Sequence, residues 1–133
     1  CAEVPKLTLV VGGSFGAGNY GMCGRAYSPR FMWMWPNARI AVMAGENAAS
    51  VLTQVKVAAA KKAGKAVSKE ELAAMHKEAT ARFSAGESAA FATSHLWDDG
   101  IIEPTETRRV LSLALSVASN APVTPTKYGV FRK

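Results

Sequence analysis

The sequence predicts an α/β fold with parallel strand pairing, and three observations carry that expectation. Short apolar runs occupy residues 7–11, 31–35 and 39–43, each bounded by glycine, proline or asparagine. Longer stretches with apolar residues at spacings of three and four fill most of the chain after residue 45. Between the first run and the rest, Gly12, Gly13, Gly16, Gly18 and Gly21 fall within ten residues. Short runs rich in β-branched or aromatic residues read as buried strands, and the longer periodic stretches as helices. Strands alternating with helices that must cover them argue for a parallel α/β arrangement. Three strands are few for a complete sheet, so the 133 residues read as a piece of a longer chain, starting at Cys1 close to the first strand.

In order, Leu-Thr-Leu-Val-Val at 7–11 is the first strand, and the glycine loop follows. After Gly18 the chain is expected to enter a short helix over residues 22–26, ending before Pro29 because the residue before proline is driven out of helical geometry. Phe-Met-Trp-Met-Trp at 31–35 is apolar on both faces, so this strand needs cover on two sides or a partner against it. Pro36-Asn37 makes a turn, and residues 39–43 form the next strand.

From Glu46 to Lys62 the apolar positions Ala48, Val51, Leu52, Val55 and Ala59 define one helix face, and Gly64 closes the helix. Ser68-Lys-Glu-Glu71 is a capping box that starts a helix running to about Phe83. A short helix is expected over 88–93, then a turn at Trp97-Asp98-Asp99-Gly100 and a short buried segment at Ile101-Ile102. Pro104 suits the first position of a last helix, which runs to about Ser119 on a face of Val110, Leu113, Ala114 and Val117. The tail from Val123 to Lys133 is expected to pack in extended form.

Composition excludes several classes. With 49% hydrophobic and 20% charged residues, the chain should build a packed core. The net charge of +6 favours anionic partners in general. Its lysines are dispersed or lie on a solvated helix (Lys61, Lys62, Lys65, Lys69), with no basic block interleaved with aromatics, so nucleic acid is not an expected partner. No apolar run approaches the roughly 20 residues of a membrane span, so no membrane is expected either. Cys1 and Cys23 have no metal-binding spacing, and a reducing compartment fits them best.

The candidate chemistry sits in the glycine loop. Gly16-Ala17-Gly18-Asn19-Tyr20-Gly21 matches G-x-G-x-x-G between a strand and a helix. A dinucleotide site also needs an acid about 20 residues on, but the first acid after the loop is Glu46, beyond a second turn. What the loop does offer is backbone. A helix start aims unpaired N–H groups at one point and stabilises negative charge there. Side chains give nothing comparable. His76 and His95 have no nucleophile or carboxylate arranged around them, Asp98-Asp99 reads as a turn, and Cys23 as a buried, inert thiol. Phe31, Trp33 and Trp35 read as core or interface packing. The best-founded site is therefore a set of amide donors poised for a developing oxyanion.

Three segments carry a family resemblance: VPKLTLVVGGSFGAGNYGMCGRAYSPRFMWMWPNARIAVMAGENAA (4–49), LWDDGIIEPTETRRVL (96–111) and NAP…YGVFRK (120–133). They resemble the C-terminal end of the carboxyltransferase β subunit of biotin-dependent acyl-CoA carboxylases. Within that family the branch acting on 3-methylcrotonoyl-CoA in leucine degradation is most similar. The geranyl-CoA branch follows, and the propionyl-CoA branch is a further alternative. The resemblance is weakest over 56–94. There residues 84–94 depart from a tyrosine-containing pattern. Ala44-Gly45-Glu46-Asn47 stands where the family commonly has Gly-Gly-Glu-Gln.

The resemblance implies a crotonase-like (ClpP/crotonase) α/β fold, with residues 1–133 forming the C-terminal portion of the second of two carboxyltransferase domains. It implies a hexamer of β subunits, a biotin-carrying α subunit as partner, biotin and an acyl-CoA as the reacting groups, and no metal. It further implies that the N–H groups of Ala17 and Gly18 hold the ureido oxygen of biotin and stabilise the charge left there as the carboxyl group departs. Phe15, Gly16 and Asn19 would shape the biotin pocket, and Tyr20 would face the acyl group. The location implied is the mitochondrial matrix in a eukaryote and the cytoplasm in a bacterium. A reading of another class stays open, that of a non-catalytic segment for hexamer assembly.

Overall fold

The computed structural model describes residues 4–64 and 67–125. Four short strands come first. β1 (Leu7–Val10) pairs in parallel with β3 (Phe31–Met34), in the register Leu7↔Phe31 to Val10↔Met34. β2 (Gly13–Phe15) pairs in parallel with β4 (Arg39–Ala41), in the register Gly13↔Arg39 to Phe15↔Ala41. The two ribbons meet at a corner that the paired segments 10–13 and 34–39 turn together. There Trp35 N–H donates to Val10 O at 2.9 Å and Arg39 N–H to Gly12 O at 3.0 Å. The expected α/β class and parallel pairing are present. The strand at 13–15 was not expected, because its three residues lie inside the glycine run and show no alternation.

The core is Val10, Met32, Met34, Ala38, Ala89 and Ala92, with Ile40 packed against it. Unbranched methionines fill irregular space well. The alanines let α4 (Ala89–Ser94) approach the strands closely. Later chain then seals the strands. Ile101 bridges Met34 in parallel, and Ser88 bridges Arg39 antiparallel.

The run at 31–35 finds within the chain the cover it is expected to need on both sides. Met32 and Met34 face the core. Phe31 and Trp33 stack on each other at 5.3 Å and, with Val110, Leu113 and Ala114 of α5 (Thr107–Ala118), line an apolar slot. Trp35 Nε1 donates to Thr107 Oγ1 at 3.0 Å.

α2 (Gly45–Lys62) and α3 (Lys69–Ser84) form an antiparallel hairpin. The capping box is realised, with Ser68 Oγ accepting from Glu71 N–H at 3.1 Å. The expected apolar face of α2 is not buried as a whole. Ala48 is buried, but Val51 and Leu52 are exposed and Val55 is 61% exposed. The reason is which side of α2 meets α3: Gly45 against Thr80 and Ser84, Ser50 near His76 and Lys56 with Glu71 place that contact on the side of Ala49, Thr53 and Ala60, leaving Val51, Leu52 and Val55 off it. α5 behaves likewise. Ala114 and Ala118 are buried while Leu113 is 63% exposed. Pro104 opens a single 3₁₀ turn, Pro104–Glu106, before α5 begins. The segment at Ile101-Ile102, expected to be buried, has Ile101 exposed because only its backbone is used, in the bridge to Met34. Of the tail expected to pack in extended form from Val123 to Lys133, residues 123–125 are described; they lie in no helix or strand and are exposed, and the rest falls outside the described residues.

Candidate functional site

β2 runs straight into α1 (Gly16–Gly21), with Phe15 as the residue before the helix. The helix therefore lies within the glycine run itself, starting at Gly16 rather than at residue 22 as expected. Residues 22–26 are not an α-helix: a turn at Met22-Cys23 leads to one 3₁₀ turn, Arg25–Tyr27. The break has a local cause. Cys23 adopts φ of 61°, a left-handed conformation that no helix continues through. The following Gly24 folds back against Asn19, whose carbonyl accepts its N–H at 2.8 Å.

Ala17 and Gly18 stand in the first turn of α1, both exposed. N–H groups of a first helical turn have no intrahelical acceptor, so these amides point out of the helix start with their backbone uncovered. Gly18 has no conformational need to be glycine, and a Cβ there would meet nothing within 4 Å. Glycine inside a helix costs roughly 0.5–1 kcal/mol relative to alanine. The fold of these residues does not repay that cost, whereas close approach of an outside group to the backbone would.

Asn19 fastens the loop. Its Nδ2 donates to Ser14 Oγ at 3.0 Å, tying α1 to β2. Tyr20 is exposed and packs edge-on against Tyr27 at 5.6 Å. Gly16, Asn19 and Tyr20 form one wall of a cavity of about 400 Å³. Ile40, Ala41 and Val42 form another, and Arg25 and Trp97 contribute to the lining. Three of the six expected site residues thus come together. Phe15, Ala17 and Gly18 do not line this cavity: Phe15 is half-buried with the Arg39 guanidinium 5.9 Å from its ring centroid, and the other two face outward beside it.

The cavity walls are largely apolar, and Arg25 carries the single formal charge among them. Arg25 is held by the turn opposite. Its Nε donates to Trp97 O at 3.0 Å, and its Nη2 pairs with Asp99 Oδ1 at 3.2 Å. Asp99 in turn grips β3, accepting from Met32 N–H at 2.7 Å. Asp98 is buried and accepts from Thr93 Oγ1 at 2.9 Å and from Gly100 N–H at 3.0 Å. The expected turn is therefore present and also braces the site.

The histidines lie elsewhere. His76 Nε2 is 3.4 Å from Ser50 Oγ between α2 and α3, and His95 stacks on Phe91 at 4.2 Å. Neither lines the cavity. Cys23, expected to be buried, is half-buried with Sγ 3.8 Å from Tyr27 O. The left-handed turn lifts it partly out of the packing. Among the described residues no group of three or more acids, histidines or cysteines is arranged to hold a metal. Among them, too, no helix is long and apolar enough to cross a membrane. Sequence reasoning missed Arg25 and Trp97 as lining residues, because their partners are far away along the chain.

Comparison with known proteins adds the following. The family described as "Carboxyl transferase domain" matches residues 1–131. The chain is 55% identical over 132 residues to the biotin-dependent 3-methylcrotonyl-coenzyme A carboxylase beta1 subunit of Mycobacterium tuberculosis, covering 99% of this chain and 25% of that one. It is 53% identical over 132 residues to the probable mitochondrial methylcrotonoyl-CoA carboxylase beta chain of Drosophila melanogaster, covering 99% and 23%. Among solved structures, the beta subunit of geranyl-CoA carboxylase from P. aeruginosa superposes with a TM-score of 0.78 at 40% identity, covering 98% of this chain and 24% of that one. The chain spans about a quarter of the length of these relatives.

Proposed function

From the premise that the chain belongs to the carboxyl transferase domain family, we propose that it forms the biotin-facing part of an acyl-CoA carboxyltransferase subunit. Its fold is the crotonase-like α/β fold of that family. The position we assign it is the C-terminal portion of the second carboxyltransferase domain, in a longer polypeptide. The observation that carries the reading is the start of α1: two exposed amides, Ala17 and Gly18, next to a cavity whose walls are mostly apolar.

That arrangement fits the bicyclic ring of biotin, which presents an apolar body and one polar urea. Gly16, Asn19 and Phe15 would shape its surroundings, and the uncovered N–H groups of Ala17 and Gly18 would meet its ureido oxygen. When bound, biotin supplies the activated carboxyl group, carried to the site on a partner α subunit. The chain's contribution is electrostatic. Two fixed donors in a first helical turn stabilise negative charge as it develops on an oxygen, with no reorganisation at the moment of reaction. Tyr20 stands on the cavity wall where the acyl group would approach. No side-chain base is required of this chain, consistent with His76 and His95 lying away from the cavity.

The acyl group we assign is 3-methylcrotonoyl-CoA, on the strength of the two relatives named for that substrate at 55% and 53% identity. Geranyl-CoA is the alternative, from the solved structure at 40%. Measuring kcat/KM of the purified holoenzyme on both esters and on propionyl-CoA decides among them. The partners follow: further β subunits in a hexamer, and the α subunit. The compartment would be the mitochondrial matrix in a eukaryote and the cytoplasm in a bacterium.

The decisive experiment is Gly18→Pro in the full-length subunit. Proline is tolerated in a first helical turn but has no N–H. With assembly intact, loss of one oxyanion donor lowers turnover by about 10²–10³. Near-normal turnover in an assembled variant would overturn the reading. It would favour the alternative of a segment that serves assembly alone, for which the exposed Val51, Leu52, Val55 and Leu113 speak.

A further inference from the structure

Glu87 is 1% exposed, a carboxylate in the interior of a small domain, and sequence reasoning gave it no role. Burying a charge is expensive unless it is paired and fully hydrogen-bonded. Glu87 falls short of that condition. Its Oε2 lies 3.7 Å from Arg39 Nη1, and that buried atom has no hydrogen-bond partner. Replacing it by an apolar residue would be the simpler solution for stability. What it holds explains its presence.

Two of its contacts bracket one segment. Its backbone carbonyl accepts the Ile40 N–H at 2.8 Å, and its Oε1 accepts the Gly45 N–H. Between those two amides lie residues 41–44, the last residue of β4 and its connection to α2. That connection supplies Ala41 and Val42 to the cavity, and the Val42 carbonyl presses against Gly16 at the start of α1. The far end of the bracket cannot drift, because Gly45 is wedged where a Cβ would stand 2.4 Å from Ser84 Oγ and 3.0 Å from Thr80 O. The near end is tied again by Arg39, whose guanidinium lies between the Glu87 carboxylate and the Phe15 ring.

We infer that Glu87 is a positioning residue: by gripping both ends of the 41–44 connection it sets where Val42 meets Gly16, and so fixes the wall of the cavity and the start of α1. Its bearing on carboxyl transfer rests on the function proposed above, while its bearing on the geometry does not.

The test uses Glu87→Ala and Glu87→Gln in the full-length subunit within the assembled enzyme. Hydrogen exchange is measured at the amides of residues 16–19 and 41–45 and compared with β1 and β3. Loss of a charge-assisted hydrogen bond should speed exchange in both site segments by about tenfold or more in Glu87→Ala, leaving β1 and β3 unchanged. Glu87→Gln keeps an oxygen to accept from Gly45 and should lie between; it carries the test if the alanine variant does not assemble. In the same samples kcat should fall by about tenfold with KM for the acyl-CoA within about threefold, as expected for a group that acts only through site geometry. Unchanged exchange in either segment, or equal acceleration throughout the chain, would overturn the inference. So would unaltered kcat in a variant whose site segments had loosened. A wild-type enzyme unable to carboxylate any acyl-CoA would sink the proposed function instead, and the exchange data would still decide the role of Glu87.

Discussion

The carbonyl oxygen of Val42 lies 2.9 Å from the point where a Cβ on Gly16 would stand, and Gly16 itself holds φ at +51°. Either condition alone disfavours a side chain; together they make this the glycine of the loop that the fold itself requires. Backbone in such a region costs a non-glycine residue about 1–3 kcal/mol, and a backbone oxygen cannot swing aside as a flexible side chain would. Gly16→Ala should lower the unfolding free energy by that amount, read as a lower denaturant midpoint at unchanged slope, and displace the start of α1, with turnover of the proposed reaction falling in parallel.

Gly18 makes the opposite case. A methyl group there meets nothing within the chain. Gly18→Ala should leave stability unchanged or raise it by about 0.5–1 kcal/mol, the ordinary helix preference. If an outside group comes close to this backbone, as the proposed function requires, turnover should nevertheless fall by tenfold or more. Thermal unfolding and turnover measured on the same sample separate the two effects. Equal gains in both would mean that nothing approaches Gly18.

The histidines should be dispensable for chemistry. His76→Gln and His95→Gln are expected to keep turnover within about tenfold, against the 10²–10⁴ that a general base contributes. A thousandfold loss in either, with assembly intact, would reveal a side-chain base.

Asp98→Ala should destabilise more than a surface substitution does. It strands Thr93 Oγ1 and the Gly100 N–H, and hydrogen bonds to a charged acceptor are worth about 1.5–3 kcal/mol each. Urea unfolding followed by circular dichroism measures it. A shift below about 0.5 kcal/mol, the usual scale for a surface position, would show that the buried carboxylate carries no stability.

Residues 1–133 expressed alone should self-associate. The exposure responsible is not at 31–35, which is covered, but on α2 and α5, at Val51, Leu52, Val55, Leu113 and Leu115. Light scattering should report species larger than a monomer. Replacing Val51 and Val55 with lysine should reduce the association. A monodisperse monomer in the unsubstituted segment would refute the argument.

Much of this was legible in the sequence, for definable reasons. Elements whose signals are local came out well: the first strand, expected over 7–11 and found over 7–10, the Ser68 cap, the short helix near 88–93 and the long helices. The glycine loop was recognisable because its density is local too, and Gly16, Asn19 and Tyr20 do meet at one cavity. The misses share a different cause. β2 is three residues long and owes its state to pairing with β4, which no pattern within Gly13-Ser14-Phe15 announces. Periodicity identified the apolar face of α2 but not what lies opposite it, so Val51 and Val55 were expected inside and stand outside. Arg25 with Asp99, and Glu87 with Gly45, are pairs made by the fold between distant positions. Their chemistry was invisible until the chain was closed.

The corner shared by the two ribbons bears on the order in which the protein takes shape during synthesis. Both parallel ribbons are made from residues 7–41, so all of their pairing residues leave the ribosome ahead of α2. The two bridges from Ser88 and Ile101, and the grip of Asp99 on Met32, come from chain made much later. Between those moments the strands exist without the groups that seal them. A nascent chain stalled in the helical hairpin would hold α1 at the end of its strand, with the Trp97 side of the cavity still to arrive. The cavity is thus closed only by chain made late, a turn more than seventy residues downstream of the residue it holds, Arg25.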